Sequence, residues 1–395
     1  MGALMINVSR LYIHPVKSMK GTRLSQAFAR ESGFTFDRDF MITTPEGTFI
    51  TARKYPLLLC FIPTVMTNGI YIQAPDGEGI AITYQDFQSS LQPTEVWGNH
   101  FTAYVAPDEI NQWFSRYLGM DVQLRWTGEK STRRVKKSPE TAVSFADGYP
   151  YLLINEASFQ SLQQRCPASI NIEQFRGNII ITGAKPFAED SWQTIRIGSV
   201  VMDLVKPCSR CIMTTISIDK GIKHPTTEPL ATLQTFRTDE KGDVDFGQNI
   251  IIRQSGIIRV GDKVEILAYK EAKSYLQTTE KTTEPATDNA VTAASAQEPK
   301  QAVTIEFNGI SFAGNNQEVL LEQLENHGYA IPYSCRAGIC GSCVIQLDEG
   351  DVNALKAGAI KRSGRILACS CVPKGNVKIS LNKNYRFSLS QIKRR

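Results

Sequence analysis

Nine cysteines are distributed unevenly along the 395 residues. Five fall near the C-terminus, in Cys335-Arg-Ala-Gly-Ile-Cys340-Gly-Ser-Cys343 and in Ile366-Leu-Ala-Cys369-Ser-Cys371. Three thiolates at spacings of five and three residues can converge from one tight loop, and a fourth arriving later completes a shell for two irons. Gly338 and Gly341 let the loop backbone pass close to bridging sulfides. The fourth ligand is Cys369 or Cys371, which would share a face if that stretch is extended. A second pair lies in Lys206-Pro-Cys208-Ser-Arg210-Cys211-Ile-Met-Thr-Thr215. Positive charge beside a thiol favours the thiolate, the form that ligates metal. A redox pair and two packed core thiols compete with that reading. A redox pair normally opens a helix in a strand–helix–strand unit, which is not evident here. A zinc site built from the two Cys-x-x-Cys pairs would have to bridge more than a hundred residues, unlike a compact zinc ribbon. Cys60 and Cys166 stand alone. Clustered thiols without an export signal read as metal ligands or reactive groups in a reducing cytoplasm, not as a disulfide framework.

The elements that must position these groups are mostly strands. Runs at Ile6–Ile13, Phe40–Thr44, Leu57–Val65 and Gly69–Ala74 are alternating or β-branched. Asp108–Leu118 is predicted as a helix: Ile110, Trp113, Phe114, Tyr117 and Leu118 share a face, with Asp108 as cap and Gly119 as stop. Further helices are expected near Glu156–Gln164 and Ile172–Phe175. Strands follow at Asn178–Thr182, Ile195–Leu204 and Val264–Ala268. Glu271 to Ala302 is rich in Thr, Glu, Ala, Lys and Gln and is too polar to fold alone. As a linker of about 30 residues it would reach roughly 30 Å. Beyond it the pattern is strand Val303–Phe307, a second strand from Gly309, and a helix introduced by Asn315 and Glu318 as a capping box. Hydrophobic residues at 42% and a net charge of +5 suit a folded protein and do not call for nucleic acid or an anionic membrane. No apolar run is long enough to span a bilayer, the opening residues lack the basic and apolar regions of a secretory leader, so export is not expected, and no dinucleotide fingerprint is seen.

The late cysteines, with Pro332-Tyr-Ser-Cys335 ahead of them and Pro373 four residues after Cys369, resemble plant-type [2Fe–2S] ferredoxins over Val303 to Leu381. That resemblance implies a β-grasp fold and ligation by Cys335, Cys340, Cys343 and Cys369, leaving Cys371 as a small buried thiol. The stretch Cys-Ser-Arg-Cys-Ile-x-Thr-Thr resembles the signature of MOSC proteins, especially the mitochondrial amidoxime-reducing component. His14-Pro-Val-Lys17-Ser18 and Asp37-Arg38 are similar to the associated N-terminal barrel, and Glu189-Asp-Ser-Trp192 and Ile258-Arg-Val-Gly261-Asp262 also match. With its ferredoxin, the whole chain resembles the bacterial YcbX-like proteins. The implied organisation is multidomain: a β-rich MOSC-associated barrel over 1–122, a MOSC β-barrel with an α+β core over 123–270, a flexible linker over 271–302, and an α+β ferredoxin over 303–395.

The resemblance implies a molybdenum cofactor with Cys211 as the metal's thiolate ligand and Cys208 as a neighbour. Lys17, Ser18, Arg38, Arg176, Asn178, Ser209 and Arg210 would contact the cofactor. Asp147 would lie near the metal and take part in catalysis as a proton donor, unless water does so. Its neighbours Gly148 and Tyr149, and Asn249, depart from the family pattern at the substrate pocket. The implied reaction is reduction of small N-hydroxylated compounds: hydroxylamines, amidoximes and N-hydroxylated base analogues. Electrons would pass through the fused [2Fe–2S] domain from a separate flavoprotein reductase. The basic residues Lys378, Lys383, Arg386, Lys393, Arg394 and Arg395 would steer an acidic partner. An electron carrier without molybdenum and a persulfide carrier are the alternatives. Arg133-Arg134-Val-Lys136-Lys137 is a short basic run that suits a solvated loop, an anionic substrate or a partner.

Overall fold

The computed structural model describes residues 5–276, 301–329, 331–332, 341, 343–355 and 358–381. These fall in two compact units. The first holds the described residues of 1–237 together with 245–275.

Its centre is an eight-stranded sheet in the order Thr22–Leu24, Asn7–Ile13, Ile179–Thr182, Tyr151–Asn155, Asp245–Ile252, Val200–Ser209, Trp192–Ile197 and Val264–Tyr269. All five residues of Tyr151–Asn155 are buried, as expected for a strand covered on both faces. The helix Glu156–Arg165 makes the crossover to the parallel strand Ile179–Thr182, and Asn155 caps it by accepting from the Ala157 N–H. The first strand pairs with Ile179–Thr182, so the N-terminal segment is built into the sheet that carries the Val200–Ser209 strand and its Cys208. A second core is aromatic and includes Phe40, Phe61, Phe87, Trp113 and Phe114. It is walled by the sheet of Phe40–Thr43, Gln123–Trp126, Asn99–Val105 and Gln92–Val96.

Local chemistry accounts for agreement and for difference. The helix spans Asp108–Leu118 as the periodicity requires, and Gly119 ends it at φ 66°. Asp108 does not cap it: Pro107 holds the cap position, and Asp108 is the first helical residue, where a carboxylate favours the helix dipole. The Leu57–Val65 run is not one strand. Pro56–Cys60 forms a 3-10 turn burying the consecutive residues Leu58 and Leu59, which an alternating strand cannot do, and the strand is Ile62–Met66. Ile195–Leu204 is two strands, because Gly198 at φ 57° turns the chain into a hairpin.

The second unit includes a five-stranded sheet in the order Ile310–Asn315, Ala302–Phe307, Val377–Ser380, Val344–Glu349 and Arg365–Leu367. Ala302–Phe307 runs parallel to Val377–Ser380, and the helix Leu320–Asn326 buries Leu320, Leu321 and Leu324 in the same core. This is the expected β-grasp arrangement. Asn315 lies ahead of the helix, accepting from the N–H groups of Gln317 and Glu318, and Val319 is the cap residue. Most of the predicted linker, 277–300, lies outside the described residues. Its start does not: Lys273 Nζ pairs with Asp245 at 2.6 Å, and the Tyr275 ring lies 3.9 Å from the Arg237 guanidinium.

Candidate functional site

A cavity of about 160 Å³ in the first unit is lined by Cys211 and by every cofactor contact the sequence nominates: Lys17, Ser18, Arg38, Arg176, Asn178, Ser209 and Arg210. The strand Val200–Ser209 delivers the thiols, with its register shifting between Pro207 and Ser209. Cys211 then opens the 3-10 turn Ile212–Thr215, its carbonyl accepting from Thr214 N at 3.1 Å and Thr214 Oγ1 at 2.9 Å. Three lining residues hold left-handed backbone: Ser18 at φ 69°, Arg38 at φ 52° and Arg176 at φ 55°. Each such conformation costs on the order of 1–3 kcal/mol outside glycine and is retained where surroundings fix it, commonly at functional sites.

Two donors in this cavity are buried and lack protein partners: Arg176 Nη2 and Arg210 Nε. Other nitrogens of each guanidinium are engaged. Arg176 Nη1 donates to the Met19 carbonyl at 2.6 Å, while Arg210 donates to the Phe175 carbonyl at 2.7 Å and to Cys208 Sγ at 3.1 Å. Burial, then repulsion from Arg38, pushes the Arg176 pKa down to about 9. An anion placed between these groups would satisfy both orphaned donors. Asn178 is tied to its neighbours. It accepts from Arg38 and from Leu152 N and donates to the Tyr12 carbonyl, which fixes Arg38 beside it.

Sequence reasoning missed Arg53. Its Nε lies 3.2 Å from Cys211 Sγ and its Nη2 donates to Asp147 Oδ2 at 2.9 Å, with the guanidinium over the Trp97 ring at 4.7 Å. The contact joins residues 158 positions apart, and no local motif marks it. Asp147 also accepts from Lys17 Nζ and from Trp97 Nε1. Burial pushes its carboxyl up, but the Lys17 and Arg53 cations outweigh that and hold it well below the ordinary carboxylate range. The two cations thus favour the carboxylate form, and Asp147 clamps both of them. Asp147→Asn should destabilise the chain by about 2 kcal/mol near neutral pH, less than the roughly 3–5 of a fully buried pair because its side chain is 50% exposed. Its folded pKa is depressed, so this contribution is present above the ordinary value of 3.8 and is lost as pH falls through the lower folded value. Thermal unfolding of both proteins should show a gap at pH 7 that closes on acidification below 3.8.

In the second unit Cys343 and Cys369 are buried with their sulfurs 3.1 Å apart. Cys335 and Cys340 lie outside the described residues. Cys371 faces elsewhere, its sulfur 3.8 Å from the Ala359 carbonyl, and burial pushes its thiol up to about 11. Of the basic tail, Lys378 pairs with Glu306 at 3.2 Å and Glu349 at 3.9 Å, so its charge is compensated. Lys383, Arg386, Lys393, Arg394 and Arg395 lie outside the described residues.

Comparison with known families agrees with this architecture. The MOSC N-terminal beta barrel domain matches residues 5–121, the MOSC domain 140–265, and the 2Fe-2S iron-sulfur cluster binding domain 303–374. Fold and matches together define a MOSC protein fused to an iron–sulfur ferredoxin domain. The relatives place it more narrowly. Mitochondrial amidoxime reducing component 2 of Macaca fascicularis is 30% identical over 276 residues, covering 65% of this chain and 82% of that one. Mitochondrial amidoxime-reducing component 1 of Xenopus laevis is 28% identical over 278 residues, covering 65% and 81%, and that of Homo sapiens 29% over 279 residues, covering 66% and 82%. The chain belongs to the amidoxime-reducing component family of MOSC proteins. Among the described residues no helix is long and apolar enough to cross a membrane.

Proposed function

We propose that this chain is a cytoplasmic, molybdenum-cofactor-dependent oxidoreductase that reduces N-hydroxylated compounds. Its substrates are hydroxylamines, amidoximes and N-hydroxylated base analogues, and a separate flavoprotein supplies electrons through the fused [2Fe–2S] domain. The observation that carries the reading is the cavity itself: a Cys211 thiol held by Arg53 at 3.2 Å, beside two buried cationic donors without protein partners. A soft thiolate suits a redox metal, and orphaned guanidinium groups suit the anionic part of a pterin cofactor.

Cys211 would ligate the metal, with Arg176 and Arg210 completing their hydrogen bonds on the cofactor and Ser18, Arg38 and Ser209 lining the same wall. Asn178 orients Arg38, and Lys17 is held by Asp147 and the Phe145 carbonyl. The cofactor, when bound, supplies two-electron oxygen-atom transfer. The net reaction consumes two electrons and two protons, breaks the N–O bond and releases water. Ionised Asp147 does not furnish a proton, so water does, while burial pushes the Lys17 ammonium down to about 8, a range in which it can exchange protons with that water. Arg53 places a fixed positive charge beside the thiol and links it to Asp147.

The test is turnover of an amidoxime by the chemically reduced full chain. Protein from a molybdenum-cofactor-competent host should release the amidine and water. Protein from a host unable to make the cofactor should not, and equal rates from both would refute the molybdenum reading.

A further inference from the structure

Beside the Cys211 cavity lies a cleft of about 170 Å³, and the two share Asp147, Gly148 and Tyr149 as a common wall. The basic run of residues 133–137 and Lys206 line this cleft, together with Trp97 and Tyr149. Arg133 is buried beneath it, and its two terminal nitrogens donate to the Ser144, Ala146 and Asp147 carbonyls, which fixes the loop. The cations above it are different. Arg134, Lys136, Lys137 and Lys206 are exposed, and no carboxylate pairs with any of them among the described residues. The nearest lining acid, Asp147, is already occupied by Lys17, Arg53 and Trp97. The walls are aromatic: Lys206 Nζ sits 5.8 Å from the Tyr149 ring centroid, and the buried Tyr149 hydroxyl has no protein partner. Trp97 connects the cleft to the chemistry, since it donates to Asp147, stacks on Arg53 and accepts from Lys136 at 3.4 Å through its carbonyl.

We infer that this cleft is an anion-selecting vestibule and that the substrates it favours are N-hydroxylated bases in phosphorylated, nucleotide form. The inference rests on the reductase reading above and names the substrate class of that site. The cleft opens beside the Cys211 cavity across the shared wall of Asp147, Gly148 and Tyr149, so one molecule can reach from one into the other. The N-hydroxyl end leads into the Cys211 cavity, and the phosphate remains among the lysines. Several unpaired ammonium groups suit a compact dianion, and aromatic walls suit the flat face of a base or the apolar face of a sugar.

The experiment compares N4-hydroxycytidine with its 5′-monophosphate on the cofactor-loaded full chain. The readout is the ratio of the two kcat/KM values, which cancels any difference in active fraction. At low salt the monophosphate should be preferred by about tenfold, the sum expected of two or three exposed ion pairs. The ratio should fall toward unity in the double variant Lys137→Gln with Lys206→Gln. It should also fall at ~1 M salt, where the screening length is about 3 Å. Equal kcat/KM values in the unaltered protein, or reduction of a simple hydroxylamine but of neither nucleoside form, would overturn the vestibule and leave the reductase reading standing. If no N-hydroxylated compound is reduced, the reductase reading fails and calorimetry decides the vestibule alone. Cytidine 5′-monophosphate should then bind about tenfold more tightly than cytidine, and lose that advantage in the double variant. Equal binding of the two would refute it.

Discussion

Cys211→Ala should abolish turnover and retention of molybdenum while leaving the visible spectrum of the iron–sulfur domain unchanged. Losing even a supporting partner of a metal ligand costs about 10–100-fold, so loss of the ligand itself should exceed 100-fold. The two properties separate because Cys211 belongs to one compact unit and Cys343 and Cys369 to the other. Cys208→Ala provides the contrast. Cys208 accepts from Arg210 at 3.1 Å, and its removal leaves Arg53 on the Cys211 sulfur, so molybdenum should be retained. Metal analysis of the three proteins, alongside amidoxime turnover, checks both statements. Full activity in Cys211→Ala would mean that the metal ligand has been misassigned.

The second large effect distinguishes two cysteines separated by a single residue. Cys369→Ser should bleach the cluster, and Cys371→Ser should leave its absorption intact. The Cys369 sulfur lies 3.1 Å from that of Cys343, whereas Cys371 points to the Ala359 carbonyl. Cys371 is fully buried, so serine there places a hydroxyl in an apolar site and should lower the melting temperature, at a cost of about 1–3 kcal/mol. The spectrum and the melting curve therefore move independently. A colourless Cys371→Ser protein that melts like its parent would reverse the assignment.

How far the sequence carried these conclusions depended on whether the signal was local. The apolar face of Asp108–Leu118 and the strand at Ala302–Phe307 are written within a few residues, and the fold contains them. The 3-10 turn at Pro56–Cys60 was not legible, because a short leucine run satisfies either a strand or a turn until its neighbours bury two consecutive side chains. Asp147 was identifiable as a residue but not as the partner of two cations. Its charge state is set by Lys17 and Arg53, each about a hundred positions or more away. Arg53 itself carried no signal, since only the folded chain brings it to Cys211. The orphaned donors of Arg176 and Arg210 are likewise a property of packing, visible only once every other partner has been counted.

The central claim is that the Cys211 cavity holds a molybdenum cofactor. Elemental and pterin analysis of the full chain, made in a host competent for that cofactor, tests it most directly. The account predicts molybdenum and pterin in amounts matching the protein, beside iron and the absorption of a [2Fe–2S] cluster. Protein saturated with zinc, without pterin and without molybdenum, would contradict it.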